Sequence, residues 1–284
     1  VFFYSIGGIM WIKKAFNNNI VLCVDQNHQE KIILGKGVGY NKKPREAVDE
    51  TRIEKVFVFQ DEATFALFDE LTQNISQEHI ELAGEIIQRG KEELSMELND
   101  MILITLADHI SYLLERMKQK TYLINPLQWE MKNIFPDEFA YSKKAVKYLR
   151  KVTGLEIPEE EAAFIAMHFV NAHLEMGNMQ ETVMLAQIID EVLDIVRYYY
   201  NVDISEDGLD YNRFITHLRY FVKRQIQGEI LKGDESAFLS LMKQKCPKDY
   251  KCAEKIKHYF ENKYQWEITE DEILYLTLHL NRIM

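Results

Sequence analysis

Cysteine and long hydrophobic runs are scarce in this chain of 284 residues. The three cysteines (Cys23, Cys246 and Cys252) are few and odd in number. This excludes a disulfide framework and fits a reducing compartment, so we predict a cytoplasmic protein. Residues 1–9 are apolar but too short to cross a bilayer, and no basic segment precedes them, so we predict no membrane insertion. We interpret residues 1–9 as an upstream extension, because the regular pattern begins at Met10.

Patterns typical of metal, cofactor or catalytic sites are also missing. Cys246, Cys252 and His258 are spaced too widely for a usual zinc knuckle. The glycine-rich stretch "GKGVGYNKK" at 35–43 lacks the following helix that a dinucleotide-binding loop requires. We therefore predict no metal, no cofactor and no enzymatic activity. The rival interpretation, an enzyme using histidine as a general acid or base, needs a pocket of convergent partners that the sequence does not indicate.

Charge is distributed unevenly along the chain. The net charge is −11, yet residues 10–57 carry nine Lys/Arg and six Asp/Glu, a local balance of +3. Because residues 1–9 are uncharged, residues 58–284 carry −14. A small basic module therefore precedes a large acidic body, and we expect a polyanion to bind the first part only.

An internal repeat organises the acidic body. At an offset of 111 residues the matching positions are Glu156, Ile157, Glu159, Glu161 and His168 with Glu267, Ile268, Glu270, Glu272 and His279. At an offset of 108, "DHISYLLER" (108–116) matches "THLRYFVKR" (216–224), which pairs His109 with His217. Each half thus holds two histidines at matching sites. This retention sets them apart from the other four, for which we predict ordinary structural roles: His28, His79, His173 and His258.

Both halves of the repeat have a helical pattern. Apolar residues recur at three- and four-residue steps, as in "ITLADHISYLLERM" (104–117). The stretch Thr269–Glu272 has the capping-box pattern, and Pro158 is typical of a first helical turn. We predict two all-α bundles of about a hundred residues each, joined by a linker at Glu175–Val183.

The first module has the pattern of strands. "NIVLCV" (19–24) and "KIILGKGV" (31–38) are rich in β-branched residues and flank a polar turn, and "VDETRIEKVFVF" (48–59) supplies a further strand. Below about 60 residues a domain is marginally stable by itself. We therefore expect this module to dimerise.

Two clusters in this module are candidates for ligand binding. Asn17–Asn19 is explained by a turn, or by amides that read base edges. In the glycine-rich stretch, Lys36, Lys42 and Lys43 offer phosphate contacts and Tyr40 offers a stacking surface. From these features alone, RNA binding and a plain β-module with a solvated basic face are about equally supported. A DNA-binding activator would need a helix-turn-helix, whereas this segment is predicted to form strands.

Taken together, the motifs resemble the BglG/SacY-type transcriptional antiterminators. The resemblance covers residues 10–284 and is carried by "NNN" (17–19), "GKGVGY" (35–40), "RIEKVF" (52–57), "NPLQWEMK" (125–132) with "FP" after it, and the order of the four repeated histidines. It implies a small all-β RNA-binding domain followed by two all-α helical bundles. These are a co-antiterminator domain at 10–64 and PTS-regulation domains at 65–175 and 176–284.

The resemblance also implies function. The first domain would dimerise and bind a leader-mRNA hairpin, preventing an overlapping terminator upstream of sugar-utilisation genes. The residues implied in RNA binding are Asn19, Gly35, Lys36 and Tyr40, with Lys14 and Asn17.

Histidine phosphorylation by the phosphotransferase system would control the protein. The resemblance implies that a sugar-specific permease (enzyme II) phosphorylates His109 and His168 and inhibits, and that the phosphocarrier HPr phosphorylates His217 and His279 and activates. From the repeat itself we add Arg116 and Arg224 as candidate phosphate partners.

Overall fold

The structure is a computed structural model that describes residues 9–57, 75–202, 204, 208–229 and 236–284. Residues 1–8 of the predicted extension and the predicted boundary at 64/65 lie outside these residues. The chain divides into two compact units. The first contains the chain up to Leu123 together with Lys147–Pro158, and the second contains Ile124–Val146 and Glu159–Met284.

A four-stranded antiparallel sheet opens the first unit, in the order β1-β2-β3-β4. The strands are β1 (Trp11–Asn17), β2 (Ile20–Val24), β3 (Glu30–Leu34) and β4 (Lys55–Phe57). Asn17 pairs with Ile20, so Asn18 and Asn19 form the two-residue turn of the first hairpin. A short 3₁₀ helix, Glu50–Arg52, precedes β4. The strands predicted in 19–24 and 31–38 are confirmed, and the one predicted in 48–59 is present over Lys55–Phe57 alone in the described part of that segment; β1 was not predicted.

The core of this module lies on one face of the sheet. Its members are the buried Met10, Ile12, Val21, Cys23, Ile33, Val38 and Val48, with Ile53 and Val56 packed against them. Along β2 and β3 these residues alternate with Leu22 and Ile32, which are also buried. Alternate side chains of a strand point to opposite faces, so this part of the sheet is covered on both sides.

The remainder of the described chain is helical. Its helices are α1 (Gln77–Leu94), α2 (Ile102–Lys118), α3 (Gln128–Ile134), α4 (Pro136–Thr153), α5 (Glu161–His173), α6 (Met179–Tyr200), α7 (Leu209–Ile226), α8 (Ser236–Lys245), α9 (Pro247–Tyr264) and α10 (Glu270–Ile283). In the first unit α1 packs on α2, and in the second α10 packs against α7, α8 and α9. None of the described helices is long and apolar enough to cross a membrane.

The helix bounds reproduce the predicted repeat. α4 and α9 have 18 residues each, and their ends are related by the offset of 111 found in the sequence. α2 and α7 both end at residues related by the offset of 108. The prediction that both halves of the repeat are helical is therefore confirmed, although the two compact units do not divide the chain at the boundary between the halves.

Three local predictions need correction. The linker predicted at Glu175–Val183 is shorter, because α6 already begins at Met179, where the Asn178 side chain accepts a hydrogen bond from the Glu181 amide. Pro158 lies before α5 rather than in its first turn. At Thr269 the predicted cap is present, since its hydroxyl accepts from the Glu272 amide. The Glu272 side chain, however, turns inward instead of completing a capping box.

Candidate functional sites

The structure brings the asparagine turn and the glycine-rich loop of the first module together. The Gly35 amide donates to the Asn19 carbonyl at 2.9 Å, and the Gly39 amide donates to the Asn18 carbonyl at 2.9 Å. The Gly37 amide donates to Oδ1 of Asn19 at 2.8 Å. The turn between β1 and β2 therefore holds the loop that follows β3.

Glycine is required where this loop approaches other backbone. A Cβ built on Gly35 would lie 1.7 Å from the Arg52 carbonyl oxygen, and one on Gly39 would lie 2.4 Å from the Asn17 carbonyl oxygen. Contacts this short cannot be relieved by rotating a side chain. Sequence analysis predicted Gly35 as an RNA-binding residue, and the structure gives it a packing role within the loop.

Arg52 was missed by sequence analysis. Its Nη1 donates to the Gly37 carbonyl at 3.0 Å and its Nε donates to Asp49 Oδ2 at 3.1 Å. A side-chain hydrogen bond from Thr51 is the largest of the causes that lower the pKa of Asp49. Arg52 was noted only as the first residue of the motif "RIEKVF", and its spacing of three residues from Asp49 is too common to single out an arginine.

The side chains that point to solvent differ from those that hold the loop. Lys36 is exposed, and Tyr40 is 60% exposed. Lys14 is exposed and lies with Nζ 4.6 Å from the centre of the Phe16 ring. Asn19 is only 7% exposed, and its amide oxygen is engaged by Gly37. Two lysines and an aromatic ring are thus exposed on this part of the module, whereas Asn19 is buried.

Asn17 also has a supporting role in the turn. Its Oδ1 accepts from the Asn19 amide at 2.8 Å, and its Nδ2 donates to the Ile75 carbonyl at 3.5 Å. This is the side-chain-to-backbone bonding that makes asparagine frequent in turns. The asparagine cluster therefore forms the predicted turn. This structural role is compatible with ligand binding by the exposed residues of the adjacent loop.

In the second half of the repeat the two histidines lie close together. His217 on α7 and His279 on α10 have ring centroids 5.0 Å apart, with planes inclined at 34°. Tyr275 lies 5.2 Å from His217, and Phe214 lies 6.3 Å from His279. Both histidines are partly exposed. The two imidazoles therefore lie next to each other where α7 packs on α10.

The surroundings keep both imidazoles neutral. Burial, followed by the charges of His279 and Arg224, lowers the pKa of His217 to about 4. Burial is also the largest cause that lowers the pKa of His279. Nδ1 of His217 is buried and has no hydrogen-bond partner among the described residues. A neutral imidazole with a free lone pair is the nucleophilic form of histidine.

Arg224 does not face the histidines as a free cation. Its Nη2 donates to Glu272 Oε1 at 2.7 Å, and Glu272 is 1% exposed. Burial raises the pKa of Glu272, and the bond from Arg224 opposes that shift. The predicted phosphate partner is instead half of a buried ion pair. The repeat contained an indication of this ion pair, because Arg116 and Glu161 occupy the matching positions in the first half.

The two repeated histidines of the first half of the repeat lie in different compact units. His109 lies half-buried on α2 in the first unit, and His168 lies on α5 in the second. Burial lowers the pKa of His168 to about 4. Arg116 is 4% exposed, with its guanidinium 5.0 Å from the centre of the Tyr112 ring. His168 therefore has the same neutral character as His217.

These low pKa values make stability sensitive to acid. As the pH falls below about 6.5 the unfolded chain protonates His168 and His217 first, and the folded chain follows only near pH 4, so stability is lost across that window. We expect the free energy of unfolding to fall by about 3 kcal/mol between pH 7.5 and pH 5. Urea unfolding at both pH values measures this.

A matched pair of variants tests the source of that pH dependence. His168→Gln with His217→Gln should flatten the pH dependence, whatever the change in stability at pH 7.5. His258→Gln should leave it unchanged, because the His258 side chain is 68% exposed. Equal slopes in all three proteins would contradict the assignment.

The cysteines offer no alternative site. Cys23 and Cys252 are buried, and burial raises the pKa of each to about 12, so both stay as thiols. Among the described residues no group of three or more His, Cys, Asp or Glu is arranged to hold a metal ion.

Comparison with known proteins places these sites in a family. Residues 84–172 and 190–283 match the PRD domain, and residues 10–65 match the CAT RNA binding domain. The chain is 37% identical to the transcription antiterminator LicT of Bacillus subtilis (strain 168), over 97% of this chain and 99% of LicT. It is 33% identical to the beta-glucoside operon antiterminator of Dickeya chrysanthemi, over 96% of each chain.

A solved structure is similar to the first part of the fold. The crystal structure of GlcT CAT-PRDI has a TM-score of 0.50 and 28% sequence identity, and the match covers 58% of this chain and 99% of that one. Together with the two domain matches and the whole-length relatives, this supports the resemblance found in the sequence. The chain belongs to the family of transcription antiterminators that join a CAT RNA binding domain to PRD domains.

Proposed function

We propose that this chain binds a leader-mRNA hairpin as a homodimer and so prevents a terminator from forming upstream of sugar-utilisation genes. The observation that carries the proposal is the loop at 35–40, which the asparagine turn and Arg52 fix in place. It presents a cation and an aromatic ring to solvent on the basic part of the chain. Stacking, cations and amide groups are the means by which proteins bind distorted or unpaired RNA.

Antitermination follows from competition between two RNA folds. A ligand that binds only one of two exclusive structures shifts the population by its differential affinity. Bound protein would favour the hairpin over the overlapping terminator, and RNA polymerase would then continue into the operon. Dimerisation would also stabilise a sheet module that is close to the lower size limit for independent folding.

Phosphorylation of the repeated histidines would control this activity. We propose that a sugar-specific permease modifies His109 and His168 and inhibits, and that HPr modifies His217 and His279 and activates. The paired imidazoles of the second domain support this, because both have lowered pKa values, which favour the neutral form, and both residues are partly exposed where α7 packs on α10. A phosphoryl group would add up to about two negative charges between α7 and α10 and so bias how the domain packs.

RNA binding by the full-length chain tests the proposal. The chain would be titrated with its own leader-RNA hairpin and with a DNA duplex of matching sequence, at two salt concentrations. We expect tight, salt-dependent binding to RNA only, with a stoichiometry of two chains per hairpin. Equal affinity for the DNA duplex, or no RNA binding, would exclude this function for the N-terminal module.

Tyr40 gives a sharper test of the binding face. Because its ring is 60% exposed, Tyr40→Ala should leave stability unchanged. The lost stacking should lower RNA affinity by about tenfold or more. Tyr198→Ala is the matched control, since Tyr198 is 90% exposed in the second regulatory domain. If both variants bind RNA equally well, Tyr40 lies off the RNA surface.

A further inference from the structure

Two arginines flank the histidine pair of the second regulatory domain. Arg213 lies four residues before His217 on α7, and Arg282 lies three residues after His279 on α10. Residues three or four apart lie on the same face of a helix. Each arginine therefore lies one turn from a histidine, on the face that carries it.

The antiparallel packing of α7 and α10 brings both arginines to the same end of the histidine pair. His217 faces His279, and seven residues further along α7 Arg224 faces Glu272, which lies seven residues earlier on α10. The two helices therefore run in opposite directions. Moving backward along α7 and forward along α10 leads to the same end, which is opposite the buried Arg224–Glu272 pair.

This end of the histidine pair is open and positively charged. The Arg213 side chain is 62% exposed and bonds only loosely to Asp210, with Nη1 to Oδ1 at 3.5 Å. Arg282 is exposed and has no ion-pair partner among the described residues. Burial is the largest cause that lowers the pKa of His279. The positive charges of Arg282 and Arg213 lower this pKa further, and the negative charge of Asp210 raises it. Both cations therefore act electrostatically on the same imidazole.

The first regulatory domain has no arginine at either matching position. The offset of 108 relates Arg213 to Thr105, and the offset of 111 relates Arg282 to Asn171. The Asn171 amide is already engaged, because Nδ2 donates to the Asn178 carbonyl at 2.9 Å and to Thr182 Oγ1 at 3.0 Å. The two domains share histidine positions but differ in the charge beside them.

We propose that Arg213 and Arg282 form a clamp that binds the phosphoryl group carried by His217 or His279, and that the first regulatory domain lacks this clamp. The inference rests on the proposed phosphorylation of these histidines and adds to it the residues that hold the modification. Arginine binds phosphate oxygens through a planar fork of N–H donors, and charge-assisted bonds of this kind are among the strongest in proteins. In the clamp, Arg213 would exchange its loose bond to Asp210 for the phosphoryl oxygens.

Phosphoramidate tests the clamp without any protein donor. An imidazole nitrogen attacks phosphorus, the bond from phosphorus to the ammonia nitrogen breaks, and ammonia leaves with its protons. The phosphorylated ring then releases the one proton on its other nitrogen to water. The full-length chain would be labelled in this way and followed by ³¹P NMR, with signals assigned by single histidine substitutions. Signals from His109 and His168 serve as an internal reference.

Removing the positive charges of both arginines should slow phosphoryl transfer to the histidines of the second regulatory domain. In Arg213→Gln/Arg282→Gln we expect labelling of His217 and His279 to slow by about tenfold, since charge-assisted bonds to the anion are lost. We also expect the second pKa of the attached phosphoryl group to rise, because the arginines favour its dianion. Arg213→Lys/Arg282→Lys, which keeps both charges, should restore most of that pKa effect. Labelling of His109 and His168 should be unchanged.

The outcomes separate the two proposals. If the Gln variant labels His217 and His279 at the wild-type rate with an unchanged phosphoryl pKa, the clamp is wrong and the phosphorylation proposal stands. If the wild-type chain takes up no phosphoryl group at His217 or His279, both are overturned. Thermal unfolding of the variants completes the comparison, because replacing exposed arginines should leave the melting temperature unchanged.

Discussion

Replacing Gly35 by alanine is expected to abolish binding of the RNA hairpin and to destabilise the N-terminal sheet by about 3 kcal/mol. The new Cβ would lie 1.7 Å from the Arg52 carbonyl oxygen and 3.3 Å from the Glu54 amide nitrogen, both backbone atoms. The loop would have to move away from the segment before β4. That movement breaks the bond from Gly35 to the Asn19 carbonyl and displaces Lys36 and Tyr40. RNA titration and urea unfolding of the full-length chain measure the two effects.

A second glycine provides the control for this substitution. Gly84 lies inside α1, and the nearest atom to an added Cβ is a Leu103 methyl carbon at 3.9 Å, an ordinary contact. Gly84→Ala should therefore leave RNA binding unchanged and should stabilise the helix by up to about 1 kcal/mol. RNA affinity at the wild-type level in Gly35→Ala would show that the loop is not rigidly held and would remove the main support for the proposed binding face.

The second large effect is expected from Arg224→Met. Glu272 is 1% exposed and would lose the guanidinium that bonds to it. Removing one partner of a buried ion pair typically lowers stability by about 3 to 5 kcal/mol, because the other charge stays buried without compensation. We expect a loss of about 3 kcal/mol here, because the Arg224 side chain is 22% exposed. The free energy of unfolding of the second regulatory domain, from urea titration at pH 7.5, measures it.

The loss of unfolding free energy in Arg224→Met, called the deficit below, should depend on pH in a definite direction. The pKa of Glu272 is already raised in the folded chain, and removing Arg224 raises it further. The folded state then holds a proton that the unfolded state releases, so the deficit grows as the pH rises above the ordinary carboxyl range. It should be smaller at pH 5 than at pH 7.5.

Two further variants separate the buried pair from a general charge effect. Arg224→Met with Glu272→Leu should recover most of the loss, because no uncompensated charge remains buried. Arg213→Met should cost well under about 1 kcal/mol, since that arginine belongs to an exposed pair. A loss in Arg224→Met no larger than in Arg213→Met would contradict the view that Glu272 depends on its partner.

The sequence predicted the order and type of the elements because those depend on local patterns. The β-branched runs around Ile20–Val24 and Glu30–Leu34 are strands, and the helices that carry the repeated histidines have the expected three- and four-residue spacing. The offset of 111 even predicted matching helix ends for α4 and α9. Within one chain, two copies of a pattern provide an internal check that a single copy lacks.

Partners far apart in sequence could not be predicted in the same way. Arg52 bonds to the Gly37 carbonyl 15 residues away, and Arg224 bonds to Glu272 48 residues away. Nothing in local spacing distinguishes these arginines from the exposed ones, because the choice is made by how elements pack. The same holds for Asn19. Its polar side chain suggested a surface position, but in the structure it is buried against the loop.

The offset between the two halves is 108 at the ends of α2 and α7 and 111 along α4 and α9, so the segment between these helices, here called the joint, has three more residues in the second half. The joint lies between α2 and α4 in the first domain and between α7 and α9 in the second, and it contains α3 with 7 residues and α8 with 10. If the domains descend from one duplicated segment, three codons were gained or lost there. His109 and His217 keep the offset of 108, and His168 and His279 keep the offset of 111. The three-residue difference therefore lies between the two histidines of each half, whereas Arg213 and Arg282 change the charge beside the histidines in the second half alone.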